Sequence, residues 1–200
     1  LLELKEEVNY VNEKNKQEFL YLLKCLIPKS IFLNLSYQIL ENLNFEGVEL
    51  IEAILCKTDF SSSNLSRTDL SKAFLFRANL YETNFRSANL IQANLIEANL
   101  TETDFKRANL NGANLSEANL YKASFRNVNL NSAILTEANL TETDLSKADL
   151  TSAILANADL DTAYLIEANL RGTNFNEAYL NGAYLDGADL TRADFNAVSY

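Results

Sequence analysis

The sequence contains no histidine, methionine or tryptophan, and only one proline and five glycines among 200 residues. Without histidine, the chain lacks the commonest general base and metal ligand, which excludes serine–histidine and cysteine–histidine catalysis and most transition-metal sites. The scarcity of glycine and proline excludes collagen and flexible linkers. We therefore expect no catalytic residues, no cofactor and no metal site, and a protein that is not an enzyme.

Cysteines and long apolar segments are also scarce. The only two cysteines, Cys25 and Cys56, are predicted to be free thiols, because a disulfide framework needs more of them. No apolar run approaches the ~18 residues that span a bilayer, and no secretory leader is visible. We expect a cytoplasmic protein with no membrane insertion. Because the chain opens at Leu1 and contains no methionine, we expect its natural N-terminus to lie upstream.

Acidic residues outnumber basic ones, and the net charge is −10. The excess lies in residues 41–200, which hold 22 acidic and 12 basic residues, whereas residues 1–40 hold five glutamates and five lysines. An acidic surface repels nucleic acid and anionic membrane. We therefore expect no direct binding to nucleic acid.

A five-residue repeat fills most of the chain. Every fifth residue from 45 to 195 is Leu or Phe, which makes 31 consecutive centres. Two residues before the centre stands Ala in 21 repeats and Thr in six, and the residue just before it is Asn or Asp in 22. A helix or a long strand would turn successive leucines to different sides. Each unit is therefore predicted to turn a corner and to point its large and small apolar residues inward.

This motif, seen plainly in residues 88–95, resembles that of the pentapeptide repeat family over about 155 of the 200 residues. The resemblance implies an all-β solenoid, a right-handed quadrilateral β-helix with four repeats per coil and about eight coils in all. Similar residues recur at the spacing of such a coil: Phe85, Phe105 and Phe125; Arg86, Lys106 and Arg126; Glu97, Glu117 and Glu137.

The first part of the chain does not keep this register. We divide the chain into a short α-helical N-terminal cap, residues 1–40, and a β-helix, residues 41–200. Apolar residues at helical spacing precede Pro28, and residues 31–39 fit either a second short helix or an alternating strand. A solenoid end exposes its core and needs a cap. The alternative for this segment is a helical element that docks onto a partner.

Outward-facing charged residues form stripes when placed on such a coil. Basic residues gather along one edge: Arg67, Arg86, Lys106, Arg107, Arg126 and Lys147. Acidic residues gather about half a turn away: Glu82, Glu97, Glu102, Glu117, Glu137 and Glu142. The rod is therefore predicted to be polarised across its width, and both stripes are candidates for contact with a protein partner. The alternative is a solvated surface with no binding role.

Apolar and aromatic residues sometimes replace the outward Asn or Asp. Four of them lie on one side of the coil: Ile54, Phe74, Ile134 and Ile154. We expect N-terminal helices to cover the first two, which leaves Ile134 and Ile154 as contact candidates. Near the C-terminal end, four tyrosines are candidates for self-association as a homodimer: Tyr164, Tyr179, Tyr184 and Tyr200.

These features favour a non-catalytic scaffold that recognises a protein partner along one face of a rigid rod. The resemblance adds an alternative, because some pentapeptide repeat proteins are mimics of duplex DNA that bind a type II topoisomerase such as gyrase. An acidic rod fits that alternative, whereas the basic edge and the lack of projecting loops depart from it.

Overall fold

The repeat folds into a β-helix. The computed structural model describes residues 33–200 together with Phe19 and Tyr21. Each five-residue unit contributes one β-bridge residue, then the Leu or Phe centre, then a two-residue turn. All bridges are parallel and join residues twenty apart, from Asn34 with Ile54 to Tyr179 with Ser199. Four bridge residues in every twenty give each coil four faces.

Backbone hydrogen bonds tie each coil to the next. The N–H of Leu90 donates to the carbonyl of Asn109 at 2.7 Å, and the N–H of Asn109 donates to the carbonyl of Ala88 at 2.9 Å. At the turn, the N–H of Gln92 donates to the carbonyl of Asn111 at 2.9 Å. Because this pattern recurs along the rod, the backbone polar groups between stacked coils are paired.

The four faces are numbered here in chain order by their columns of bridge residues. Face 1 contains Asn94, face 2 Asn99, face 3 Asp104 and face 4 Asn109. The two turn residues that follow each face lie at a corner, and each corner is named by the two faces that it joins. Residues twenty apart occupy the same column, so a column runs along the length of the rod.

Two inward columns fill the interior of the rod. The Leu and Phe centres from Leu35 to Phe175 are at most 1% exposed. Phe85, Phe105 and Phe125 lie in one column, and their rings stack at centroid distances of 5.1 and 4.6 Å. Burial of each such side chain contributes about 1.5–3 kcal/mol before chain entropy is counted. The small residues between the centres leave room for this packing.

Threonine replaces alanine in the small inward column without leaving its hydroxyl unpaired. The Oγ1 of Thr103 donates to the carbonyl of Leu80 in the preceding coil at 2.9 Å, and Thr143 makes the same bond to Leu120. Within residues 33–200, no buried side-chain nitrogen or oxygen lacks a hydrogen-bond partner. The threonines therefore add side-chain ties between coils to the backbone bonds.

The second turn position has a left-handed backbone conformation in every repeat from residue 37 to residue 197. All five glycines stand at this position, for example Gly112 with a φ of 64°. Charged residues adopt the same conformation, as at Glu117 with a φ of 58°. This conformation costs a residue with a Cβ about 1–2 kcal/mol. Its recurrence without glycine indicates that the stacking of the coils enforces the turn.

The outward Asn and Asp residues of the bridge columns have two structural roles. The Nδ2 of Asn84 donates to Oδ1 of Asn64 in the preceding coil at 3.0 Å, which forms an amide ladder. The Oδ1 of Asn84 also accepts the backbone N–H of Arg86 at 3.0 Å, which stabilises the turn. This column therefore holds the coil in shape from outside.

The β-helix begins before the predicted boundary at residue 41. Leu35 and Leu40 are buried centres of the same repeat. The second short helix predicted for this region is therefore wrong from Leu33 onward, and the alternating strand does not run through it either, because Ser36 and Tyr37 form a turn. Leu33 and Gln38 stand where later repeats have Ala, which concealed the register. Both are only half-buried, so the first coil accommodates side chains larger than Ala in this column.

The rest of the predicted cap lies outside the described residues, except for Phe19 and Tyr21. Both residues are helical. Phe19 is buried and belongs to the same apolar cluster as the centres of the β-helix, whereas Tyr21 is exposed. Whether residues 1–32 form a cap therefore stays a prediction.

Candidate partner-binding surfaces

One corner of the rod is basic along five successive coils. The turn residues between faces 3 and 4 occupy ten positions from Ser66 to Lys147. Six of these positions are positively charged and none is negatively charged: Arg67, Arg86, Lys106, Arg107, Arg126 and Lys147. We call this corner the basic ridge. At ~4.8 Å per coil it is about 19 Å long, and the predicted residues Arg86, Lys106 and Arg126 form one of its two columns.

Two aspartates of face 3 hold the arginines of the basic ridge. The Nε of Arg86 lies 2.6 Å from Oδ2 of Asp104 in the next coil, and Nε of Arg126 lies 3.6 Å from Oδ2 of Asp144. The Nζ of Lys106 is 3.8 Å from Asp104 as well. The contact is made through Nε in both arginines, and their outer Nη atoms have no hydrogen-bond partner among the described residues.

These aspartates were not identified from the sequence. The signal that could have found them is an arginine just after a centre, followed eighteen residues later by an aspartate. Arg171 and Asp189 repeat this arrangement between faces 4 and 1, with 3.4 Å between Nη1 and Oδ2. The spacing therefore predicts an ion pair between the turn of one coil and the bridge column of the next.

The two ends of the basic ridge are paired with glutamates. Arg67 Nη1 lies 3.2 Å from Glu46 Oε1, and Lys147 Nζ lies 3.4 Å from Glu167 Oε2. Arg107, near the middle, has no ion-pair partner within residues 33–200. The three central coils therefore carry an excess of positive charge, because their four cations share only the two carboxylates of Asp104 and Asp144. A groove of about 470 Å³ lies there, lined by Arg86, Ser87, Lys106, Arg107, Arg126 and Asn127.

The diagonally opposite corner, between faces 1 and 2, is acidic. Glu97, Glu117 and Glu137 occupy the same turn position in three successive coils. The Nε of Arg77 lies 2.7 Å from Oε2 of Glu97, and this hydrogen bond, followed by the charge of Glu97, raises the pKa of the arginine. Glu117 and Glu137 have no ion-pair partner in the part of the chain that the structure describes. Glu177, two coils beyond Glu137 in the same column, has no ion-pair partner there either, so the unpaired acidic charge of this corner lies on these three glutamates.

The other predicted acidic residues lie on the corner between faces 2 and 3. Glu82, Glu102 and Glu142 share a column there with Lys122. The Nζ of Lys122 is 3.7 Å from Oε2 of Glu142 and 4.8 Å from the ring centre of Tyr121. A hydrogen bond with Tyr121, followed by the charge of Glu142, raises the pKa of Lys122. The acidic stripe is therefore divided between two corners, and a lysine interrupts one of them.

The apolar residues of face 1 form two separate pairs rather than one patch. Ile134 is half-buried and Ile154 is 38% exposed in the next coil. Ile54 is half-buried and Phe74 is 48% exposed, and two coils with asparagine in this column separate them from Ile134. The predicted contact residues Ile134 and Ile154 are therefore neighbours, but they expose only a small apolar area.

Two of the four tyrosines predicted for self-association stack on each other. Tyr164 and Tyr184 lie in one column of face 3, with ring centroids 4.9 Å apart and planes 5° from parallel. They remain 41% and 47% exposed. Tyr179 lies on face 2, and Tyr200, at a centre position, is 78% exposed. The structure therefore brings Tyr164 and Tyr184 together but places the other two elsewhere.

Metal-binding clusters and membrane-spanning helices are absent from the part of the chain that the structure describes. It holds no cluster of three or more histidine, cysteine, aspartate or glutamate side chains arranged to bind a metal ion. None of its helical residues belongs to a helix with the length and hydropathy of a membrane span. Cys56 is a free, half-buried thiol, and Cys25 lies outside the described residues.

A family model matches the repeat. The model for pentapeptide repeats matches in eight copies, at residues 44–80, 78–116, 123–161, 143–180 and 158–196. The chain belongs to the pentapeptide repeat family. The resemblance seen in the sequence is therefore confirmed, and membership implies that the β-helix is right-handed.

Solved structures of several pentapeptide repeat proteins are similar to this chain. HetL, involved in heterocyst differentiation regulation in the cyanobacterium Nostoc sp. strain PCC 7120, is 29% identical; the alignment covers 91% of this chain and 95% of HetL, with a TM-score of 0.47. Rfr23 from the cyanobacterium Cyanothece 51142 is 31% identical and aligns over 56% of this chain and 90% of its own, with a TM-score of 0.38.

A trypsin-treated form of QnrB1, a plasmid-mediated fluoroquinolone resistance protein, is 19% identical to this chain. It aligns over 82% of this chain and 89% of its own, with a TM-score of 0.35. No curated protein matches the chain.

Proposed function

We propose that the protein is a non-catalytic binding rod that recognises a protein partner through the basic ridge. The observation that carries the proposal is the run of ten turn positions, from Ser66 to Lys147, with six positive charges and no negative one. This run stands out in a chain whose net charge is −10. Like charges in neighbouring coils repel each other, and the carboxylates beside the ridge are fewer than its cations. The remaining excess of positive charge favours binding of a partner of opposite charge.

The rigidity of the rod supports a binding role. The ridge residues sit on turns whose backbone is hydrogen-bonded to the neighbouring coils, as Arg107 N–H is to the carbonyl of Arg126 at 3.3 Å. Their positions are therefore set before a partner arrives, which lowers the entropy that binding costs. Catalysis instead needs groups that converge in a concave, dry pocket. The interior here is filled by Leu, Phe and Ala side chains, and the charged groups lie on outward turns.

Affinity capture with a charge-reversed protein tests the proposal. The ridge variant carries Arg86→Glu, Lys106→Glu and Arg126→Glu, and the control variant carries Lys57→Glu, Lys72→Glu and Arg192→Glu on two other corners. Both variants change the net charge equally. Each exposed ion pair contributes ~0.5–1 kcal/mol, so the ridge variant should bind its partner with an affinity lower by at least about tenfold. If both variants capture the same proteins as the unmodified chain, the ridge is not the binding surface.

A second candidate function is mimicry of duplex DNA towards a type II topoisomerase. The unpaired carboxylates of Glu117 and Glu137, one coil apart, favour it, because stacked negative charges resemble a line of phosphates. Lys122 and the basic ridge weigh against it. Supercoiling by purified gyrase is the test. Inhibition that disappears in a Glu117→Gln, Glu137→Gln variant would support mimicry, and no effect at micromolar concentration would refute it.

Self-association through the tyrosines of the last coils stays a prediction. The exposed stack of Tyr164 and Tyr184 supports it, because aromatic side chains are favoured at interfaces. Analytical ultracentrifugation of the unmodified chain and of a Tyr164→Ser, Tyr184→Ser variant is the measurement. A dimer that persists in the variant would show that these residues are not the contact.

A further inference from the structure

The arrangement of charge on the basic ridge indicates what chemistry its partner carries. We infer that the partner binds by laying an extended, aspartate- or glutamate-rich peptide segment along the ridge, parallel to the axis of the rod. This inference rests on the proposed function and goes beyond it, because it specifies the chemical class and the conformation of the bound segment.

The free ends of the ridge arginines are suited to carboxylates. Asp104 contacts Arg86 through Nε at 2.6 Å, the arginine side chain remains 57% exposed, and its two Nη groups have no hydrogen-bond partner among the described residues. A guanidinium group held in this way presents parallel N–H donors, which match the two oxygens of a carboxylate. Arg126 makes a longer ion pair with Asp144, at 3.6 Å, which is beyond hydrogen-bond distance. Asp104 therefore acts as a positioning residue for Arg86, whereas Asp144 contributes charge beside Arg126.

The ends of the ridge set the length of the bound segment. Glu46 and Glu167 pair with the first and the last cation of the ridge. In the central coils, by contrast, four cations share two aspartates, so the excess positive charge lies there, on Arg86, Lys106, Arg107 and Arg126. An extended chain rises ~3.3 Å per residue, so about three or four residues cover these coils and about six cover the whole ridge. The groove of about 470 Å³ among these side chains is open at the surface and can admit such a segment.

The observations favour an acidic peptide over a nucleic acid. Binding of single-stranded nucleic acid depends on aromatic side chains on which the bases stack. None of the ten ridge positions is aromatic. The ridge is also only two columns wide, and the bridge columns on either side of it carry aspartates such as Asp69, Asp104 and Asp149. A polyanion wider than one extended strand would meet these carboxylates and be repelled.

Fluorescence anisotropy with a defined probe tests the inference. The probe is a labelled peptide of about six glutamates, and the matched control peptide has glutamine in place of each glutamate. We expect the glutamate peptide to bind the unmodified chain and the control variant alike. The ridge variant should bind it at least about tenfold more weakly. Binding should weaken as salt is raised from about 50 to 300 mM, because the contacts are exposed ion pairs.

Several results would overturn the inference. Equal affinity for the glutamine peptide would show that carboxylates are not recognised, and unchanged binding by the ridge variant would place the site elsewhere. Tighter binding of an oligothymidylate of equal charge would favour a nucleic acid instead. A neutral variant with Arg86→Gln, Lys106→Gln and Arg126→Gln, whose circular dichroism is compared with that of the unmodified chain, separates lost binding from lost folding.

Failure of this inference can be distinguished from failure of the proposed function. If the glutamate peptide does not bind but the ridge variant still loses its captured protein, the ridge is a binding surface for another kind of segment. If the ridge variant captures the same proteins as the unmodified chain, the proposed function itself is wrong.

Discussion

The inward columns and the turn columns of the rod follow opposite rules. Inside, the centres from Leu35 to Phe175 are all Leu or Phe and are at most 1% exposed. At the corners, one backbone position with nearly the same φ is occupied by Glu117, Lys122 and Asn127 in successive turns. The interior restricts side-chain size and polarity, whereas the turns restrict only the backbone. The fold is therefore encoded by the inward columns, and the turn columns are free to carry recognition.

The largest effect is expected for removal of an inward centre. Leu110 is fully buried, so Leu110→Ala should lower the free energy of unfolding by about 2–5 kcal/mol through lost burial and a cavity between coils. The matched change at an exposed turn, Gln92→Ala, should stay within about 0.5 kcal/mol. Chemical denaturation measures both. If both variants lost similar amounts of unfolding free energy, the conclusion that the inward columns encode the fold and the turn columns do not would be wrong.

A smaller effect is expected where an inward residue carries a hydroxyl. Thr103→Val keeps the side-chain volume but removes the 2.9 Å bond to the carbonyl of Leu80. That carbonyl still accepts the N–H of Thr83 at 3.1 Å, so the loss should be about 1 kcal/mol rather than the full cost of an unpaired group. Chemical denaturation measures this loss. An unchanged free energy of unfolding would show that the hydroxyl does not link the coils.

A conformational effect of similar or smaller size is expected at a turn glycine. A Cβ added at Gly112 would lie 3.5 Å from Cγ of Gln92, which is ordinary contact, so Gly112→Ala tests the φ of 64° alone. We expect a loss of about 1 kcal/mol. Gln92→Ala, at the same turn position one coil earlier with a φ of 56°, is the control, because this residue already has a Cβ. A neutral Gly112→Ala would show that the turn is less constrained than its geometry indicates.

The smallest effect concerns one carboxylate on face 4. The hydroxyl of Thr191 donates to Asp189 at 2.5 Å, and this bond, followed by the backbone N–H of Thr191, lowers the pKa of Asp189. A lowered pKa stabilises the folded state above the pKa of the unfolded chain, and this contribution is lost as the pH falls through the folded pKa. In an NMR titration, Thr191→Ala should move the pKa of Asp189 upward. An unchanged pKa of Asp189 in this variant would show that the Thr191 hydroxyl does not lower it.

The sequence predicted the inward columns from residue 45 onward, because only one geometry points every fifth Leu or Phe to the same side. It did not predict the first coil, where Leu33 and Gln38 take the place of the small residue. Larger side chains fit at these two positions because Leu33 and Gln38 are only half-buried. A motif derived from the later, buried repeats therefore does not identify the first coil in the sequence.

The candidate site was predicted only in part. The twenty-residue spacing placed Arg86, Lys106 and Arg126 in one column, since residues at that spacing share a corner. The contacts of Asp104 and Asp144 were not predicted, because an ion pair between a turn and the next coil depends on the direction of each side chain. The same spacing could have separated Tyr179 from Tyr164 and Tyr184, which differ from it by fifteen and five residues rather than by twenty.

The uninterrupted coil of twenty residues also limits how such a chain can lengthen. An insertion of five residues would keep every Leu and Phe inward, but it would rotate all later surface residues by a quarter turn and split the ridge between two corners. Duplication of a whole coil would preserve both the interior and the alignment of the surface columns. Gene changes in multiples of twenty codons are therefore the ones that extend the rod without disrupting its surface.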